Sequence, residues 1–187
     1  MTPAFPSTSN RSATETPPKI NPVWIICLLL AYTAATQYAV ASGIDRLVAD
    51  NAEYNQFSSQ EVLVTFLRVG VVVWSFLASF LQALVLRLVY RGIVRGQSPT
   101  LRTSWFWVLL GQIPFMLTVL VMGLFMQPEA LGVLGQAWIR ILFGAVAAAI
   151  YIALAKKAFA AANSRLAILF VIITVVNSVL LVSTATA

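Results

Sequence analysis

The stretch LRLVYRGIVRGQSPTLRTSWFW, residues 86–107, carries Arg87, Arg91, Arg95 and Arg102 with no acid among them. Four guanidiniums so close together can bind phosphate or carboxylate groups through charge-assisted hydrogen bonds. Arg87, Arg91 and Arg95 recur every four residues, which places them on one face if the segment is helical. Such a face suits anionic lipid headgroups, at about 1 kcal/mol per residue near a membrane surface, or an acidic partner. A second polar set comprises Arg68, Arg140 and Gln112, which fall inside otherwise apolar runs. Arg68 and Arg140 lie within two or three turns of the same predicted surface. There their side chains can snorkel, pair with Glu61 or Glu129, or form an intramembrane recognition pair. Gln37, Gln82 and Asn177 are also polar within apolar runs, and interhelical hydrogen bonding is the ordinary use of such residues.

Most other chemistry lacks its parts. The chain has no histidine, which removes the commonest general base near neutral pH and the commonest metal ligand. The sequence offers no paired carboxylates, no metal-ligand cluster and no phosphate-binding glycine loop. Serines and threonines within the apolar runs have no nearby histidine or acid to activate them. The expectation is a non-enzyme without cofactor or metal. The lone Cys27 reads as a small buried hydrophobe.

The elements that carry these residues are set by composition. Of 187 residues, 60% are hydrophobic and 10% charged, against about 25% charged in a soluble domain. The chain therefore reads as an all-α, polytopic membrane protein. Residues 1–22, rich in Pro, Ser and Thr, read as a disordered cytoplasmic tail. The apolar stretch behind it is too long for a cleaved signal peptide. Five apolar segments follow, at about 23–42, 62–86, 105–126, 131–155 and 165–183. Each is near the ~20 residues that cross a bilayer, and each is helical because lipid offers no partners for an unpaired backbone. Ser58 and Glu61 form a capping-box pattern ahead of the second run. That helix, continued to Arg95, is about 57 Å long and projects past the inner surface. Ser98 reads as the next cap, with Pro99 in the first turn. Trp105 and Trp107 read as interfacial aromatics, and Pro114 as a kink. Ala31 with Ala35, and Gly144 with Ala148, permit close helix approach. Ile44, Leu47 and Val48 suggest a short interfacial helix in the outer loop.

Orientation follows from the basic residues. With the tail cytoplasmic and five spans, the C-terminus lies outside. Arg11, Lys19, Arg87, Arg91, Arg95, Arg102, Lys156, Lys157 and Arg165 are then inside, and Arg46, Arg68 and Arg140 outside. Nine against three obeys the positive-inside rule, and the reverse topology violates it. The arginine cluster thus has a topological explanation before any other. The net charge of +6 does not point to nucleic acid, because no soluble module or aromatic platform accompanies it.

The segment LRLVYRGIVRGQ followed by SPTLRTSWFWVLLGQIPFMLTVLV, with Gly96 and Pro114, resembles the Ypt-interacting-protein (YIP) family of five-span membrane proteins over roughly residues 60–125. That resemblance implies a non-catalytic membrane scaffold or adaptor in the same orientation. Eukaryotic members are associated with lipidated small GTPases. The tail here is much shorter than theirs, which points to a bacterial inner-membrane protein assisting a larger complex. The expected function is an accessory protein that binds another integral membrane protein, such as a transporter or export system. The alternative is a small transporter, or the substrate-binding membrane subunit of one. A membrane enzyme is a third class.

Overall fold

The computed structural model describes residues 20–50, 59–94, 98–126, 128–159 and 163–183. The readings that rest on the tail before Ile20, on Ser58 and on Arg95 and Gly96 lie outside the described residues. The described residues form six α-helices and one 3-10 helix: α1 Pro22–Asp50, α2 Gln60–Val94, α3 Leu101–Gly111, α4 Ile113–Phe125, the 3-10 helix Pro128–Gly135, α5 Ala137–Phe159 and α6 Asn163–Ser183. Four stretches are long and apolar enough to cross a membrane: 22–41, 60–94, 101–125 and 137–159. The fifth expected span, in α6, has a shorter apolar stretch, Asn163–Ser178.

The surface is inverted relative to a water-soluble bundle. Val62, Phe66, Val73, Leu117, Leu124 and Leu142 are exposed, while Ser75, Ser79, Gln82, Thr103, Ser104, Gln112 and Asn177 are buried. Water would penalise that arrangement, whereas hydrocarbon favours it.

Several boundaries differ from the sequence expectation. Helix α1 does not stop near Ser42 but runs 29 residues to Asp50, about 43 Å. Ile44 and Val48 are therefore part of it, buried, with Leu47 exposed, and no separate interfacial helix forms there. Gly43 does not end the helix, and an uninterrupted backbone ladder leaves no carbonyl unpaired there. At the start of α2, Ser59 takes the capping role: the Val62 N–H donates to Ser59 Oγ at 3.4 Å. The cap of α3 is Thr100, not Ser98, its Oγ1 accepting from the Thr103 N–H at 3.2 Å. Pro99 thus precedes the cap, and its extended preference suits that place better than the first turn.

The third span breaks as Pro114 requires. Without an N–H, Pro114 cannot bond the carbonyl of Leu110. The Gln112 N–H closes the last turn of α3 on Leu109, at 3.1 Å, and α4 starts afresh with Pro114 in its first turn. The fourth span starts later than residue 131. Leu131 and Leu134 sit in the 3-10 helix, where a spacing of three residues per turn puts both on one face. Both are buried against Ala35 and Ala39 of α1 and Phe115 and Met122 of α4, and α5 begins only at Ala137.

Consecutive spans run antiparallel. Tyr90 and Val94 of α2, Trp107 of α3, Ala155 of α5 and Leu166 of α6 share one apolar cluster. That cluster gathers the end of α2, the start of α3, the end of α5 and the start of α6 at one end of the bundle. At the opposite end, the Tyr38 hydroxyl of α1 donates to the Gly123 carbonyl of α4 at 3.4 Å.

Candidate functional site: a basic end and a buried polar centre

The gathered helix ends carry the charge. Arg91, Arg102, Lys156, Lys157 and Arg165 are exposed there, and Arg87 is half-buried. Arg165 Nη1 donates to the Val94 carbonyl at 2.9 Å, bringing α6 onto the last turn of α2. Tyr90 packs against Phe159 with the rings tilted 52° and their centroids 5.7 Å apart, which sets α5 beside the same turn. The predicted stripe on α2 is therefore one sector of a wider basic surface built from four helix ends. The described acids, Asp45, Asp50, Glu61 and Glu129, fall at the far ends of α1 and α2 and in the 3-10 helix. Among the described residues no acid lies at the basic end, while the acidic end also holds Arg46, Arg68 and Arg140.

Arg68 does not pair with Glu61. Its Nη2 meets Asp45 Oδ1 at 3.1 Å, and the Gln37 amide donates to the Arg68 carbonyl. Both contacts join α1 to α2. The sequence pointed to Glu61 because it lies close along the chain. The extension of α1 past Ser42 brings Asp45 into reach instead. Arg68 and Arg87 bracket 18 uncharged residues, about 28 Å of helix, near the ~30 Å of bilayer hydrocarbon. Helix α2 continues beyond both arginines, to Gln60 on one side and to Val94 on the other. Arg140 lies in the second turn of α5, close to Gly135 of the 3-10 helix, and is half-buried. It is not brought into the Arg68–Asp45 pair.

Gln112 belongs to a different place. At the break between α3 and α4 it lines a small interior cavity with Gln82 of α2, Tyr151 of α5 and Asn177 of α6. Leu86, Val108, Ala147 and Ile173 complete the wall. Relative exposure is 4% for Gln82, 8% for Gln112, 1% for Tyr151 and 5% for Asn177. The cavity leaves about 10 Å³ for the centre of a water molecule. Asn177 Nδ2 donates to the Gly144 carbonyl at 3.3 Å, so the small residue expected to allow close approach also exposes its backbone as an acceptor. The Tyr151 hydroxyl lies near those of Ser104 and Tyr90, yet none of the three completes a hydrogen bond with a protein group.

Close packing holds this centre. A Cβ on Gly111 would stand 3.1 Å from the Ala147 carbonyl oxygen, so the broken span touches α5 backbone to backbone. Trp105 donates its indole N–H to Ser79 Oγ at 3.2 Å and meets Phe76 and Phe80 edge-on. Trp107 is not interfacial. It is 5% exposed and packs edge-on against Tyr151 and Phe159, because two residues of helix turn it about 200° from Trp105 and into the bundle. Cys27 is exposed on α1 rather than buried. Gln82, Gln112 and Asn177 stand out in the sequence as polar residues in apolar runs, and the unpartnered hydroxyls could have been added to them, but their convergence is a property of the fold. No family model, curated protein or solved structure matches this chain.

Proposed function

We propose that the chain is a non-catalytic accessory protein of a cell's inner membrane, crossing it five times with the N-terminus cytoplasmic and the C-terminus outside. It docks another integral membrane protein or complex through its spans and its basic end. The observation that carries this reading is the surface formed by Arg87, Arg91, Arg102, Lys156, Lys157 and Arg165. Facing the cytoplasm, these groups satisfy the positive-inside rule. They also present a wide cationic face to anionic headgroups and to an acidic region of a partner. The sequence resemblance to the YIP family over roughly residues 60–125 implies the same scaffold role.

The interior supports this reading over transport. Small-molecule sites usually offer about 300–1,000 Å³, whereas the polar centre here has room for about one water. One observation favours the transporter alternative: a span broken beside buried polar groups, as discontinuous helices are in many transporters.

Replacing Arg87, Arg91 and Arg102 together with glutamine tests the docking reading. Insertion should be unchanged, while a partner copurified in mild detergent from the native host should be lost. Unchanged recovery of every partner removes the basic end from the argument. A ligand that raises the melting temperature of purified protein, with the rise abolished by Gln112→Leu, would favour transport.

A further inference from the structure

We propose that a single water molecule is bound inside the bundle, bridging Gln82, Gln112, Tyr151 and Asn177. The cavity between them leaves about 10 Å³ for a water's centre, the lower edge of what one molecule needs. It is too small for any organic ligand. Its walls are polar at several points, which separates it from the apolar voids that stay dry.

The hydrogen-bonding inventory matches. The Asn177 amide nitrogen is engaged by the Gly144 carbonyl, leaving its oxygen as an acceptor. The Tyr151 hydroxyl, which lies near that of Ser104, completes no hydrogen bond with a protein group and has a proton to donate. Gln82 and Gln112 each add one acceptor and two donors. A water that accepts from Tyr151 and a glutamine amide, and donates to Asn177 and the other glutamine, fills its tetrahedral set. The alternative is several unsatisfied polar groups surrounded by lipid-facing helices, a far larger cost than ordering one water. The four side chains come from α2, the α3–α4 junction, α5 and α6. The bound water therefore ties the broken span to three other helices at the point where its own ladder is interrupted.

Radiolytic labelling tests this. Brief X-ray pulses split bound water into hydroxyl radicals that mark adjacent side chains, and heavy-oxygen water identifies the source. In lipid nanodiscs, Tyr151 should take up label about ten-fold faster than Phe143, which is less buried but sits in an apolar cluster with no water partners. Gln112→Leu and Asn177→Leu should each cut the Tyr151 rate at least about five-fold while Phe143 is unchanged. Far-UV circular dichroism and elution volume would establish that each variant folds. Wild-type Tyr151 labelling as slow as Phe143 overturns the proposal, whatever the variants do. So does undiminished Tyr151 labelling in both folded variants.

Discussion

Arg165 Nη1 reaches the Val94 carbonyl oxygen across 2.9 Å, joining the first turn of α6 to the last described turn of α2, 71 residues away. The last carbonyls of a helix have no partner within it, and a cationic side chain is well suited to meet one. Arg165→Met should therefore lower the melting temperature in detergent, by an amount equivalent to about 1 kcal/mol for a hydrogen bond to a charged group at a partly exposed site. Arg165→Lys should recover part of the loss. A melting curve unchanged in the methionine variant would show that other contacts hold the two ends together.

Gly111 packs tightly against backbone. Its absent Cβ would lie 3.1 Å from both the Cβ and the carbonyl oxygen of Ala147, and backbone on that side cannot swing away. Gly111→Ala should destabilise the bundle by about 1–3 kcal/mol, the usual range for overpacking. Gly111→Leu should prevent accumulation of folded protein. The comparison at Gly123 differs in kind: an added Cβ would meet the ring of Tyr38, a side chain that can rotate. Thermal denaturation of both alanine variants should therefore rank Gly111 as the more sensitive.

Arg68 and Asp45 form an ion pair whose side chains are 46% and 55% exposed. In water such a pair contributes about 0.2–1 kcal/mol. A double-mutant cycle with Arg68→Gln and Asp45→Asn, read by denaturant unfolding in detergent, should give a coupling energy within that range and falling with salt. A salt-independent coupling well above it would place the pair in hydrocarbon rather than at the headgroups.

Orientation is testable with single cysteines in a Cys27→Ser background. Ser164 lies at the basic end and Gln136 at the opposite end, and both are exposed. On intact cells an impermeant maleimide should label Gln136→Cys but reach Ser164→Cys only after permeabilisation. The reverse pattern would invert the assignment of every charged residue.

Hydropathy located the helices well because it depends on solvent alone. Pro114 announced its break for an equally local reason, a missing N–H. What escaped the sequence is what depends on direction and distance. Trp105 and Trp107 look alike along the chain, yet one indole bonds Ser79 while the other is enclosed beside Tyr151. Asp45 became the partner of Arg68 only because α1 continues past Ser42. The basic stripe was legible on α2, but Lys156, Lys157 and Arg165 join it only once α5 and α6 fold back. Gln82, Gln112 and Asn177 are separated by 30 and 65 residues along the chain, and no period relates them. The 3-10 helix was hidden because Leu131 and Leu134 fit the apolar pattern of a longer helix.

The uncharged interval between Arg68 and Arg87 also restricts where the protein can reside. An upright α2 just spans its own length of hydrocarbon, and a thinner bilayer is met by tilting. A thicker, sterol-rich one is met by local thinning or by the two guanidiniums reaching outward to the headgroups, each at a modest cost. The helix thus works as a ruler, best matched to hydrocarbon about as deep as that interval is long.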